Sequence, residues 1–227
     1  MSEVPPRRIV LAIDGPAGAG KSTVARQLAA RLGFTYIDSG AMYRAVALWA
    51  LREGIGLADM HRLEQLADAA VIAFEPGSLR VWLNGDDVTE AIRAPEVSSA
   101  ASAVAAVPAV RRALVAKQRM IGSAASVVME GRDIGSVVFP DADVKIFLDA
   151  EPRERVRRRA AESGGDEERL AGEIRERDQR DSTRADSPLV QAPDAVYVDS
   201  TGLTVEGVVD SILRIVRARV TNGKSFA

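Results

Sequence analysis

The run "IDGPAGAGKST", Ile13 to Thr23, constrains this chain more than any other stretch. It follows an apolar run, Ile9 to Ile13, and precedes a segment in which Val24, Leu28 and Leu32 recur at a four-residue interval. A buried parallel strand, a glycine-rich turn and a helix over Ser22–Leu32 are therefore predicted in succession, with Gly33 as the helix stop. Within that context Gly15 to Ser22 matches GxxxxGK[ST]. Gly15, Gly18 and Gly20 let backbone N–H groups turn inward around phosphate oxygens, and the following helix adds its positive end. Lys21 is predicted to reach the outer phosphates and the Ser22 hydroxyl to ligate Mg²⁺. Gly15, Pro16, Ala17, Gly18, Ala19, Gly20, Lys21, Ser22 and Thr23 form the expected cradle for a nucleoside triphosphate.

Further strands are predicted at "FTYID", "ASVVME", "DVKIFLD" and "DAVYVD", with helices between them and a last amphipathic helix from about Val205 to Val220. Such alternation implies an α/β fold, a parallel sheet covered on both faces as a three-layer sandwich. Two stretches break it. "VIAFEPGSLRVWLNGDDVTEAI" alternates around Pro76-Gly77 and Asn84-Gly85, so a small antiparallel β insert is expected within about 70–105. Residues 151–186 hold ten Arg, no Lys and eleven acids, and read as two charged helices around "SGGD". Ala100–Ala113, rich in alanine, reads as helical.

The chain has 227 residues and a formal net charge of −2, which suits one domain with insertions and argues against a general nucleic-acid binder. Without cysteine it has no disulfide, no thiolate metal site and no cysteine nucleophile. No apolar run reaches the ~18 residues of a membrane span. A cytoplasmic monomer with no membrane or nucleic-acid partner is expected, its final "TNGKSFA" a frayed tail.

The phosphate loop leaves the phosphoryl acceptor open. A guanine-nucleotide switch would offer Asn-Lys-x-Asp, which the chain lacks. It does offer arginines in groups, as a phosphate-bearing acceptor requires, because two anions must be brought together. In "YIDSGAMYR", Ser39 stands where a strand meets a helix and is the expected N-cap, with Arg44 in reach of an anion. In "MEGRDIGSVVFPDA", Arg132 and Asp133 follow a strand, where α/β sheets bind ligands. In "IRERDQRDSTR", Arg177, Asp181 and Arg184 share one helix face with Arg180 beside them.

Together "IDGPAGAGKST", "DSGAMYRA", "EGRDIGSVVFPDADVKIFLDA" and "ERDQRDSTRADSPL" resemble bacterial cytidylate kinases, the CMP/dCMP kinases of the nucleoside monophosphate kinase group, from about Ile9 to Val220. The resemblance implies ATP as phosphoryl donor with Mg²⁺, and CMP or dCMP as acceptor. It implies that Ser39, Arg44 and Arg132 bind the CMP phosphate. Ser102, Arg111, Asp133 and Arg184 would face the cytosine, and Arg177 and Asp181 would contact the ribose. Lys21, Arg132 and Arg44 would carry the catalysis. One kinase domain is implied, with a monophosphate-binding region at about 40–112 that includes the insert and a mobile lid at about 151–186.

The chemistry is consistent from below. Cytosine shows an N4 amino donor and an N3 acceptor, which a carboxylate and cationic or hydroxyl donors would read. The groups contain no strong base; the one histidine, His61, lies in a polar helical stretch and is read as a surface residue. A phosphate acceptor needs no base, since its second pKa is about 6. Gly164-Gly165 are plausible flexible points of the lid, and the arginines from Arg153 to Arg159 stand in reach of a triphosphate. Two other readings stay open at this stage. One is a phosphate-loop kinase for another nucleoside monophosphate or for a hydroxyl compound such as shikimate, with Asp38 as base. The other is a nucleotide-dependent switch.

Overall fold

The computed structural model describes residues 8–184 and 186–221. Most of the tail expected to fray, 222–227, lies outside them. In chain order the elements are β1 (Val10–Asp14), α1 (Lys21–Leu32), β2 (Thr35–Asp38), α2 (Ser39–Arg52), α3 (Met60–Ala69), β3 (Ile72–Phe74), β4 (Val81–Leu83), β5 (Asp86–Asp87), α4 (Pro95–Val104) and α5 (Pro108–Ala124). Then come β6 (Val127–Gly131), β7 (Val144–Asp149), α6 (Pro152–Ser163), α7 (Glu167–Thr183), β8 (Val196–Asp199) and α8 (Val205–Thr221). The chain forms two compact units, residues 1–35 with 122–227, and residues 36–121.

The first unit is built on parallel strands. β1 pairs with β6 on one side and β7 on the other, and β7 pairs with β8. The edge beyond β6 is entered at the start of β2, where the Thr35 N–H donates to the Ser126 carbonyl at 3.0 Å. Leu11, Ala12 and Ile13 of β1 are fully buried, as a strand covered on both faces requires. Helices α1 and α8 pack on this unit, and Val24, Leu28, Val209 and Ile212 bury their apolar faces. Truncating a fully buried leucine such as Leu28 would cost about 2–5 kcal/mol. At the end of β1 the chain turns sharply into the glycine loop. A Cβ on Gly15, at φ 150°, would lie 1.9 Å from the Leu148 carbonyl oxygen, so only glycine fits there.

The second unit has its own apolar core. Met42, Ala45, Val46, Leu63, Ile92, Val104 and Leu114 are buried in it, packed from α2, α3, α4, α5 and the turn at Ala91–Arg93. The expected β insert is a three-stranded antiparallel sheet in the order β3-β4-β5. Asn84 and Gly85, at φ 52° and 92°, make the tight turn between β4 and β5. The alanine-rich stretch is helical as expected, in two pieces. Ala100–Ala113 is not one helix: α4 ends at Val104, and α5 starts at Pro108 at an angle of 101°. Pro108 cannot continue an incoming helix but suits the first turn of a new one. His61 sits exposed on α3, 3.1 Å from the Gln65 side-chain amide.

Candidate active site

The loop between β1 and α1 places Lys21 at the first position of α1, where it is buried. Its Nζ donates to the Pro16 carbonyl at 2.6 Å, folding the side chain back over the loop. Burial, with the charges of Arg132 and Arg177, brings the Lys21 pKa down to about 7, against the pull of Glu130 and Asp14. The site thus disfavours the charged form of Lys21, and a nearby anion would favour it.

Asp14, the last residue of β1, is buried and accepts the N–H groups of Ile134 and Gly135 at 2.8 and 2.7 Å. Burial pushes its carboxyl up to about 6, although both backbone donors pull the other way. Asp14 therefore ties the start of the phosphate loop to the loop after β6. The outward-facing carbonyls of the phosphate loop are braced from α6. Arg155 Nη1 donates to Ala17 O at 3.1 Å, while Arg158 Nη1 donates to Ala19 O at 3.3 Å and to Ser200 Oγ at 2.9 Å. The Ala17 and Ala19 carbonyls are thereby satisfied.

The loop after β6 carries Arg132 and the buried Asp133. Arg132 Nε donates to Asp181 Oδ2 of α7 at 2.8 Å, and Arg184 lies 3.6 Å from the other oxygen of that carboxylate. Burial of Asp181 works upward, but Arg132, Arg184 and Arg177 together hold its carboxyl below the usual range. The first unit thus gathers Lys21, Arg132, Arg177, Asp181 and Arg184 into one charged network, with Asp133 beside Asp14. A cavity of about 470 Å³ opens along α7, bordered by Pro16, Phe147, Asp149, Arg155, Asp178 and Leu189.

The second unit holds Ser39, Arg44, Ser102 and Arg111. The helix cap there is Asp38, not Ser39: Asp38 Oδ1 accepts the Ala41 N–H at 3.0 Å, and the buried Ser39 is already helical. Either residue type caps well, and the extended backbone of Asp38 at φ −89° and ψ 99° selects it. Arg44 Nη2 donates to Asp38 Oδ2 at 2.6 Å. The Arg44 Nε is buried without a hydrogen-bond partner. Burial of Asp38 works upward, but Arg44 and the Ala41 N–H hold its carboxyl below the usual range. Arg111 is buried with its guanidinium 5.5 Å from the centre of the Tyr43 ring and Nη1 3.4 Å from the Ala105 carbonyl. Ser102 lies half-buried on α4.

Several residues of this machinery escape sequence reasoning. Asp14 reads as a strand boundary, Ser200 carries no motif, and Asp178 is one acid among eleven in the charged stretch. The available signal for Asp14 is its place directly before Gly15, where any side chain must face the loop.

The family model described as cytidylate kinase matches residues 11–218. A cytidylate kinase of Solibacter usitatus is 64% identical, over 100% of both chains. Another, of Pelotomaculum thermopropionicum, is 54% identical over 94% of this chain and 96% of its own. Among solved structures, an uncharacterized protein from Eubacterium ventriosum superposes with a TM-score of 0.52 at 13% identity, over 93% of this chain and 99% of that one, a likeness of fold alone. With the family pattern spanning the phosphate loop, the loop after β6 and α7, the chain belongs to the cytidylate kinase family.

Proposed function

We propose that this protein transfers the γ-phosphoryl group of ATP to CMP or dCMP, giving ADP and CDP or dCDP. The observation that carries the reading is Arg44: a partly buried guanidinium, held at the head of α2 by Asp38, whose buried Nε has no acceptor. A cation with a buried donor left over is suited to an anion, and a nucleoside monophosphate brings one. Ser39 and Arg132 complete the proposed phosphate grip. Asp133, Arg111, Arg184 and Ser102 would read the cytosine, and Arg177 and Asp181 the ribose.

Lys21 and the loop N–H groups orient the triphosphate, and Arg132 and Arg44 bring the acceptor phosphate against it. A dianionic acceptor attacks without a base, so catalysis reduces to positioning, charge neutralisation and exclusion of water. α6 and α7 would supply that exclusion as the lid. Among the described residues no group of His, Cys, Asp or Glu stands ready to hold a metal alone. Mg²⁺ is usually carried by substrate phosphates with few protein ligands, and here the Ser22 hydroxyl would hold it. When bound it neutralises charge on the transferring phosphoryl group.

The hydroxyl-acceptor alternative asks Asp38 to act as a base. Asp38 is committed to the Ala41 N–H and to Arg44, and its depressed pKa makes it a weak one. The test is ADP production from ATP and Mg²⁺ with CMP, dCMP, UMP, AMP, GMP and shikimate offered separately. Turnover should be strongest with CMP or dCMP. Preference for another acceptor would discard the base-reading assignment, and hydrolysis indifferent to all six would point to a switch.

A further inference from the structure

The phosphate loop already holds an anion, and that anion belongs to the chain itself. Asp178 of α7 accepts the Ala17 N–H through Oδ1 at 3.3 Å, across 161 residues of sequence. Its other carboxylate oxygen accepts from Arg155 Nη1. That same guanidinium nitrogen donates to the Ala17 carbonyl at 3.1 Å, and Arg155 Nε donates to Ala150 O at 3.1 Å. The backbone of Ala17 is thus held at its N–H by a carboxylate and at its C=O by the cation paired with that carboxylate. α6 is close as well: a Cβ on Gly18 would lie 2.9 Å from the Arg155 carbonyl oxygen.

Ala17 is the third residue of the Gly15–Ser22 run, whose N–H groups are proposed to receive phosphate oxygens. One N–H cannot serve a carboxylate and a phosphate at full strength, and two such anions side by side repel in a partly buried site. We propose that Asp178 is an affinity-determining residue of the phosphoryl-transfer reaction, an internal anion on the phosphate loop that the nucleotide triphosphate must displace. The cavity of about 470 Å³ beside it gives the carboxylate space to move into. Displacement breaks the Arg155–Asp178 pair and leaves Arg155 with Asp149, 3.8 Å from its Nε, while the guanidinium still lies against the loop. A single phosphate competes with Asp178 on nearly equal terms, whereas a triphosphate brings further contacts to Lys21 and the remaining N–H groups. The residue therefore raises the selectivity of the loop for polyphosphates and lowers its absolute affinity.

The inference rests on the loop receiving a nucleoside triphosphate, and the experiment separates the two claims. The whole chain, as wild type, Asp178→Asn, Asp178→Ser and Asp178→Glu, is titrated without acceptor against a non-hydrolysable ATP analogue and against inorganic tripolyphosphate. The two uncharged variants should bind both probes about threefold to tenfold more tightly than wild type, the size expected for losing a competing hydrogen bond. Asp178→Glu, which keeps the charge, should stay near wild type. Two uncharged variants guard against one failing to fold, and circular dichroism checks each. Unchanged or weaker binding in folded uncharged variants overturns the proposal and leaves Asp178 as a strut for α7 or a support for Arg155. If no variant and no wild type binds either probe, the phosphate-loop reading falls, and the proposal with it.

Discussion

Arg132 Nε meets Asp181 Oδ2 at 2.8 Å, so the loop after β6 and helix α7 share one ion pair across 49 residues of sequence. Both side chains are mostly buried, and Asp181 also faces Arg184 and Arg177. The pair therefore links a proposed phosphate-gripping arginine to a proposed ribose contact.

Replacing Arg132 by Ala should cost about 1–3 kcal/mol of stability, because Asp181 loses its nearest donor. Turnover should fall about a hundredfold or more if Arg132 also neutralises the transferring phosphate. A urea-melt cycle with Asp181→Ala should show clear coupling between the two sites. Strict additivity would mean that the pair contributes nothing beyond its separate residues. The depressed Asp181 pKa sets the pH sense: the contribution of the pair is complete above the ordinary carboxylate range and is lost only as pH falls through the lower, folded value.

Arg44→Ala should raise the KM for CMP by about tenfold to a hundredfold, the loss of a charge-assisted phosphate contact, with little change for ATP. Steady-state kinetics with each substrate varied in turn is the check. Equal losses for both substrates would remove Arg44 from the acceptor site.

Asp133→Asn should narrow the preference for CMP over UMP, since an amide donates as well as accepts. The ratio of kcat/KM for the two monophosphates measures it. An unchanged ratio would take base reading away from Asp133.

Burial and the charges of Arg132 and Arg177 bring the Lys21 pKa down to about 7, well below a free lysine. Between pH 7 and the ordinary lysine range the unfolded chain holds a proton that the folded one has released, so this group makes stability rise with pH there. Asp14, raised to about 6, works the other way: the folded state keeps a proton that the unfolded state gives up, and its contribution is lost as pH rises through 6. Near pH 8, where ATP is itself fully deprotonated, nucleotide binding should take up a proton onto Lys21. Calorimetry in two buffers of different ionisation enthalpy should show this, and Lys21→Met should abolish it. Identical heats in both buffers for wild type would mean that Lys21 is already charged.

The phosphate loop was legible because its chemistry is local. The strand before it, its glycines, Lys21 and Ser22 all act within fifteen residues, and each residue type has one plausible task there. The β insert was legible for the same reason, through turn residues such as Asn84-Gly85. Where neighbours compete, local reading failed. Ser39 and Asp38 both cap helices, and only the backbone angles at Asp38 decide between them. The alanine-rich run reads as helical, and Pro108 divides it into two helices.

What the chain by itself determined is therefore a local pattern: a strand, a glycine-rich loop, a helix, and arginines placed after strands. Only the tertiary structure decided which charges meet. Asp14 reaches residues 120 positions away, and Asp178 reaches Ala17 across 161. In the charged stretch every acid looks alike, because composition sets only the density of charge. Packing α6 and α7 against the phosphate loop chooses one carboxylate for the Ala17 N–H and another for Arg132. The cause is physical: a hydrogen bond depends on distance in space, and sequence spacing predicts that distance only within one helix, strand or turn.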